Sequence, residues 1–207
     1  MIHIGKTGGI AVRNAFAHAR NSPTHRVRFW GHTFRLWDVP ARDQFFFFLR
    51  DPVDRFVSAF AYRANQGTPL FPDPWKKAEQ RAFEKFSIPE ELGRALFEDP
   101  LADAAMREIE HVRDSFLDWF RDEDYFLSRI DGLLLVGRQE TLVEDVERLS
   151  RLVGVTATPP IGDSEANRTP STIDRTLSPL AREKLTTWYA SDYRFLDVLE
   201  EVGVLSR

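Results

Sequence analysis

The 207-residue chain contains no cysteine. That excludes disulfides and thiolate chemistry, argues against a zinc site, and fits a reducing, cytoplasmic setting. Positive charge is not in excess either: 28 Lys and Arg stand against 32 Asp and Glu, a formal net charge of −4. A chain of this balance has no bulk attraction for nucleic acid or an anionic membrane, so any anion it binds must be captured by a local basic cluster. Long apolar runs are missing as well. The longest, QFFFFL at 44–49, is far too short to span a bilayer, so no transmembrane segment is expected. With Met1 directly on the first apolar run, no secretory leader is expected. The familiar nucleotide loop is also absent, because its GKT would need a glycine one position ahead of Met1.

What remains is a globular composition, 43% hydrophobic and 29% charged, at a length that suits one domain over 1–207. Four apolar runs predict strands: IHI (2–4), VRFWG (27–31), QFFFFL (44–49) and GLLLVG (132–137). The last two are almost wholly apolar, as in strands buried on both faces of a parallel sheet. Helical spacing fills the gaps. It covers 9–20, then 51–65 with Val53, Phe56, Val57 and Phe60 as its stripe, and 139–153 with Leu142, Val146, Leu149 and Val153. The alternation predicts an α/β fold, a three-layer sandwich around a central parallel sheet. A helical insertion at 74–130, broken by Pro89 and Pro100, is expected to act as an acceptor-side lid. A long loop at 155–176 and two closing helices, 178–189 and 192–202, complete the chain.

Ligands of open parallel sheets bind beyond the carboxyl ends of the strands. One step past each run stands a nitrogen-bearing side chain: Lys6, His32, Arg50 and Arg138. Behind the first run the order is KTGG, with the glycines after the lysine. Glycine permits a tight turn and close backbone approach, the following helix offers unpaired N–H groups, and Lys6 adds a point charge. Behind the third run, Asp51 suits an N-cap and Pro52 the first helical position. On the wheel of that helix Arg55 and Ser58 fall opposite the apolar stripe. A magnesium-dependent phosphoryl-transfer enzyme would prefer an acidic metal ligand where Arg50 stands, which points to an anion held by cations and N–H groups, without a metal.

These residues resemble a known family. HIGKTGG is similar to the 5′-phosphosulfate loop, and FLRDPVDRFVSAF to the 3′-phosphate segment, of sulfotransferases that use 3′-phosphoadenosine 5′-phosphosulfate (PAPS). The nearest likeness is to the carbohydrate-type enzymes, including the heparan 2-O-sulfotransferase branch and its bacterial relatives. The resemblance implies a P-loop NTPase-like sulfotransferase fold. It implies that Lys6, Thr7, Gly8 and Gly9, with the backbone of Ile10 and Ala11, hold the 5′-phosphosulfate. It implies Arg50 and Ser58 at the 3′-phosphate, and Arg168 and Thr169 closing over the nucleotide. The acceptor is then a hydroxyl-bearing molecule, in this branch a carbohydrate. Two departures stand out: Gly5 replaces a proline common before the lysine, and Ile10-Ala11 replace a hydroxyl residue.

Catalysis of such a transfer is mostly positioning and charge stabilisation. Lys6 would stabilise the bridging oxygen. His32 is the candidate base, since an unperturbed imidazole suits neutral pH and enzymes of the 2-O branch use a histidine there, others a glutamate. The competing view of His32 is a structural histidine bonded to backbone. His111 shares a helical face with Arg107 and reads as solvated; Glu140 reads as a helix-start residue; His3, His18 and His25 are given no role. Trp75, Trp119 and Trp188 read as core, while Trp30 and Trp37, flanking His32, are candidates for acceptor binding. Two rival classes stay open: a P-loop kinase or nucleoside triphosphatase, and a non-catalytic nucleotide-binding relative.

Overall fold

Five consecutive apolar residues must be covered on both faces, and every residue of Phe45–Leu49 is buried. The computed structural model of the chain describes residues 1–18, 21–68, 71–158 and 173–205. In it this run is strand β1, paired in parallel with β2, Leu133–Arg138, in a register that sets Phe46 against Leu135 and Leu49 against Arg138. Helices alternating with a small parallel sheet make this an α/β fold. The expected strands at 2–4 and 27–31 are not strands among the described residues. They run alongside instead: the Ile2 N–H donates to the Phe46 carbonyl at 3.0 Å, and the Met1 amino group to the Arg28 carbonyl at 2.6 Å.

The chain divides into two units. One comprises Met1–Arg50, Ser115–Ala166 and Arg194–Arg207; the other comprises Asp51–Asp114 and Asn167–Tyr193. In the first, the alternating side chains of β1 feed two separate cores. Phe46 and Phe48 pack with Ala11, Val12 and Ala15 of α1 (Gly9–Ala15) and with Val146, Leu149 and Val153 of α7 (Leu142–Val153). Phe45 and Phe47 pack with Phe116, Trp119 and Phe120, with Phe126 of α6 (Glu123–Ser128), and with Phe195 and Leu199 of α9 (Ala190–Glu201). Each ring removed from water in this way contributes about 1.5–3 kcal/mol. Helix α1 is shorter than the expected 9–20: the Ala17 N–H bonds to the Asn14 carbonyl at 3.0 Å, a tightened last turn.

The second unit is helical: α2 (Pro52–Ala64), α3 (Lys77–Lys85), α4 (Pro89–Ala95), α5 (Pro100–Glu108) and α8 (Pro179–Trp188). Helix α2 begins as its sequence dictates, with an Asp51 carboxylate oxygen accepting from the Asp54 N–H at 3.0 Å. Pro89 and Pro100, expected to break helices, open them. A proline at the first helical position forfeits no hydrogen bond, because that N–H has no partner in the helix. The apolar stripe of α2 packs Phe56 and Phe60 against Leu92, Leu96, Met106 and Leu185. Arg55, expected opposite that stripe, is 1% exposed and paired with Asp192 at 3.2 Å. Residues 74–114 belong to this unit and 115–130 to the first. No helix among the described residues is long and apolar enough to cross a membrane.

Candidate active site

The residues after Ile4 must reverse direction before α1 begins, and the backbone shows how. Lys6 lies at φ +67° and Gly8 at φ +85°, with Thr7 between them. The left-handed region is ordinary for glycine but costs a lysine of order 1 kcal/mol or more, a conformation found most often at functional sites. Thr7 is buried, and its hydroxyl donates to the Ile4 carbonyl at 3.0 Å, tying the turn to the extended run before it. What Thr7 can offer a ligand is therefore chiefly its backbone. Gly8 precedes α1 without a side-chain cap, and the first helical bond is Val12 N–H to Gly8 carbonyl at 3.1 Å. The N–H groups of Gly9, Ile10 and Ala11 occupy the first turn, where a helix supplies no acceptor of its own.

Gly9 is required for a different reason. A Cβ built there would lie 2.3 Å from both Cδ2 and Nε2 of His3, so the imidazole of His3 rests directly on the glycine backbone. The same ring stacks on His32, with centroids 4.0 Å apart and planes at 37°. His32 is exposed. Its Nδ1 lies 3.1 Å from the carbonyl oxygen of His3. A carbonyl only accepts, so in neutral His32 the proton sits on Nδ1 and the lone pair on Nε2. The His32 carbonyl in turn accepts from Nε1 of Trp119 at 3.1 Å and from the Arg35 guanidinium. A bond from Nδ1 to backbone and a lone pair on Nε2 are compatible in one neutral imidazole. His3 escaped the sequence reading, although one signal was there: it alternates with buried Ile2 and Ile4, three residues ahead of Lys6.

Arg50 follows β1 directly. It is half-buried, and its Nε is buried with no hydrogen-bond partner among the described residues. Buried donors of native proteins are nearly always satisfied, so an orphan of this kind asks for an acceptor. Leu49, one residue earlier, is tied to the residue that follows β2 by accepting from the Gln139 N–H at 2.8 Å, which fixes where Arg50 emerges. Arg138, at the end of β2, pairs through Nε with Glu140 at 3.4 Å, while its backbone N–H donates to Asp145 at 2.9 Å. Lys6, Thr7, Gly8, Gly9, Ile10, Ala11, His32 and Arg50 all belong to the first unit. Ser58 sits in α2 of the second unit. Arg168 and Thr169 lie outside the described residues.

A family model described as the sulfotransferase family matches residues 17–197. The chain belongs to the sulfotransferase family. No curated protein and no solved structure matches it. In this sulfotransferase His32, Arg50, Ser58, Arg168 and Thr169 fall within the matched span, and the loop Lys6–Ala11 lies ahead of it. Membership makes the protein a transferase of sulfuryl groups. Other expectations need correction: His111 lies beyond the end of α5 at φ +65°, 14% exposed, with Nδ1 3.7 Å from Asp114, so it is not on a solvated helix face. Trp119 is core, as its spacing suggested, yet its indole N–H also holds the backbone of His32. Trp30 stays exposed and stacks on Phe34 at 4.6 Å, and Trp37 is exposed as well.

Proposed function

We propose that the protein transfers a sulfuryl group from PAPS to a hydroxyl of an acceptor, a carbohydrate, and that it is a member of the carbohydrate-type branch. The observation that carries this is Arg50. A buried guanidinium N–H without an acceptor among the described residues, at the carboxyl end of a parallel strand, suits the 3′-phosphate that distinguishes this donor from an ordinary nucleotide. Lys6 and the N–H groups of Thr7, Gly8, Gly9, Ile10 and Ala11 supply donors of the kind a phosphosulfate needs, and the strained lysine backbone supports a functional turn there. Ser58, Arg168 and Thr169 enter on the family resemblance alone. When bound, the donor supplies the group transferred. The chain's own residues do the rest: Nε2 of His32 takes the proton of the acceptor hydroxyl, and the Lys6 ammonium offsets charge on the departing oxygen.

The finer architecture belongs to the same proposal: a P-loop NTPase-like, three-layer sandwich over 1–207 as one domain, with 74–130 on the acceptor side. Burial of both faces of β1 under different sets of helices supports the layering. The absence of cysteine supports a cytoplasmic setting.

Calorimetry with 3′-phosphoadenosine 5′-phosphate against ATP, with and without magnesium, tests the donor. The 3′-phosphorylated nucleotide is expected to bind at least tenfold tighter, indifferent to magnesium. Magnesium-dependent preference for ATP would replace this function with that of a kinase or nucleoside triphosphatase. Arg50→Met is expected to weaken the 3′-phosphorylated nucleotide by roughly 10- to 100-fold, the worth of one charge-assisted bond, and ATP hardly at all. Equal losses for both would remove Arg50 from the 3′-phosphate.

A further inference from the structure

Between the loop that would hold the donor and the base that would face the acceptor stands the imidazole of His3. Its ring meets both Gly9 and His32. On one side it rests on Gly9, where even a methyl group would come within 2.3 Å. On the other it stacks on His32 at 4.0 Å. Its own carbonyl takes the Nδ1 proton of His32. Trp119 and Arg35 hold the backbone of His32 through its carbonyl, whereas His3 meets the ring itself. A base misplaced by an ångström loses most of its worth, so a contact made to the ring bears directly on its use.

We propose that His3 is a positioning residue for His32: its carbonyl selects the Nδ1–H form, and its ring, seated on Gly9, holds the imidazole of His32 beside the Lys6–Gly9 turn. This rests on the assignment of His32 as the base. The device needs an aromatic face at position 3 and no side chain at position 9. It also explains why the second glycine of the KTGG turn is as necessary as the first: Gly8 serves the turn, and Gly9 serves the ring.

The test pairs nitrogen-15 NMR of the histidines with steady-state kinetics in the full chain. In the wild type, Nδ1 of His32 is expected to resonate as a protonated ring nitrogen and Nε2 as an unprotonated one at slightly alkaline pH. His3→Ala keeps the carbonyl but removes the ring that holds His32 against it, so it is expected to mix the two forms and to lower kcat about 10- to 100-fold, a part of what a general base contributes, with the donor KM changed less than threefold. His3→Phe, which keeps an aromatic face and the same backbone carbonyl, is expected to restore the single form and most of kcat. If His3→Ala fails to fold, His3→Leu, which fills the space without an aromatic face, carries the same expectation. A single unchanged tautomer in His3→Ala or His3→Leu overturns the proposal, as does failure of His3→Phe to restore it. The NMR needs no turnover. Loss of tautomer control in a protein without sulfuryl transfer would therefore refute the proposed function and leave the positioning intact.

Discussion

His32→Ala is expected to lower sulfuryl turnover by about 10²- to 10⁴-fold, the usual contribution of a positioned general base, and to leave nucleotide binding unchanged. The second half of that expectation follows from which atoms of His32 serve the fold. Its carbonyl accepts from Trp119 and from Arg35, and alanine retains that carbonyl. The ring itself is exposed, so its removal opens no cavity in either core of the first unit. Turnover at saturating donor and acceptor, set beside calorimetry with 3′-phosphoadenosine 5′-phosphate, separates the possibilities. Unchanged turnover would exclude His32 as the base. Turnover and nucleotide affinity falling together would make it part of the donor site. A non-catalytic nucleotide-binding relative would show no turnover in the parent protein either.

The largest expected effect on stability lies in the second unit. Arg63→Met should cost about 3–5 kcal/mol, read as a lower urea midpoint. Arg63 and Glu79 are both fully buried and bonded twice, Nε to Oε1 at 2.8 Å and Nη2 to Oε2 at 2.7 Å, with Asp73 taking Nη1 at 2.7 Å. The carboxylate of Glu79 also accepts from the N–H groups of Lys76 at 3.0 Å and Glu110 at 3.1 Å. Removing the arginine leaves that carboxylate buried without its counter-charge, and the double variant with Glu79→Gln should recover part of the loss. If the single variant loses less than about 1 kcal/mol, the pair is no better than a surface one.

The same cluster sets a pH dependence. Burial pushes the Glu79 carboxyl upward, but the Arg63 bonds and the two backbone N–H groups outweigh it and hold the group below its ordinary value. The folded state therefore binds this proton only at lower pH than the unfolded chain does. Its stabilisation is complete above the unfolded carboxylate range and is lost as pH falls through the folded value. Urea midpoints measured from neutral to acid pH should fall, with a shallower slope once Arg63 is gone. A slope unchanged by Arg63→Met would place the acid sensitivity elsewhere.

Local signals in the sequence were enough for the parts that local chemistry decides. The phenylalanine run, the leucine run, the Asp51-Pro52 start and the stripe of α7 each carry their own pattern, and each appears where that pattern puts it. What escaped depends on partners far along the chain. Arg55 sits opposite the apolar stripe of α2, yet Asp192, 137 residues away, draws it inside. Pro89 and Pro100 end a helical pattern read from the left and begin one read from the right, and only packing chooses between these. At the candidate site Arg50 and Arg138 could be placed at strand ends from the sequence, whereas Lys6 and His32 follow runs that are not strands among the described residues, and the contact of His3 with both Gly9 and His32 could not be foreseen. It depends on Met1–Ile4 and residues 27–32 lying side by side, and neither run says so alone.

The parallel pairing of β1 with β2 has a consequence for the chain while it is being made. Phe45–Leu49 emerges from the ribosome long before Leu133–Arg138. At roughly 5–20 residues per second, five consecutive apolar side chains wait several seconds for the strand that covers their edge. Nascent chains halted between those two segments should therefore be captured by holdase chaperones, and those halted well beyond residue 138 released.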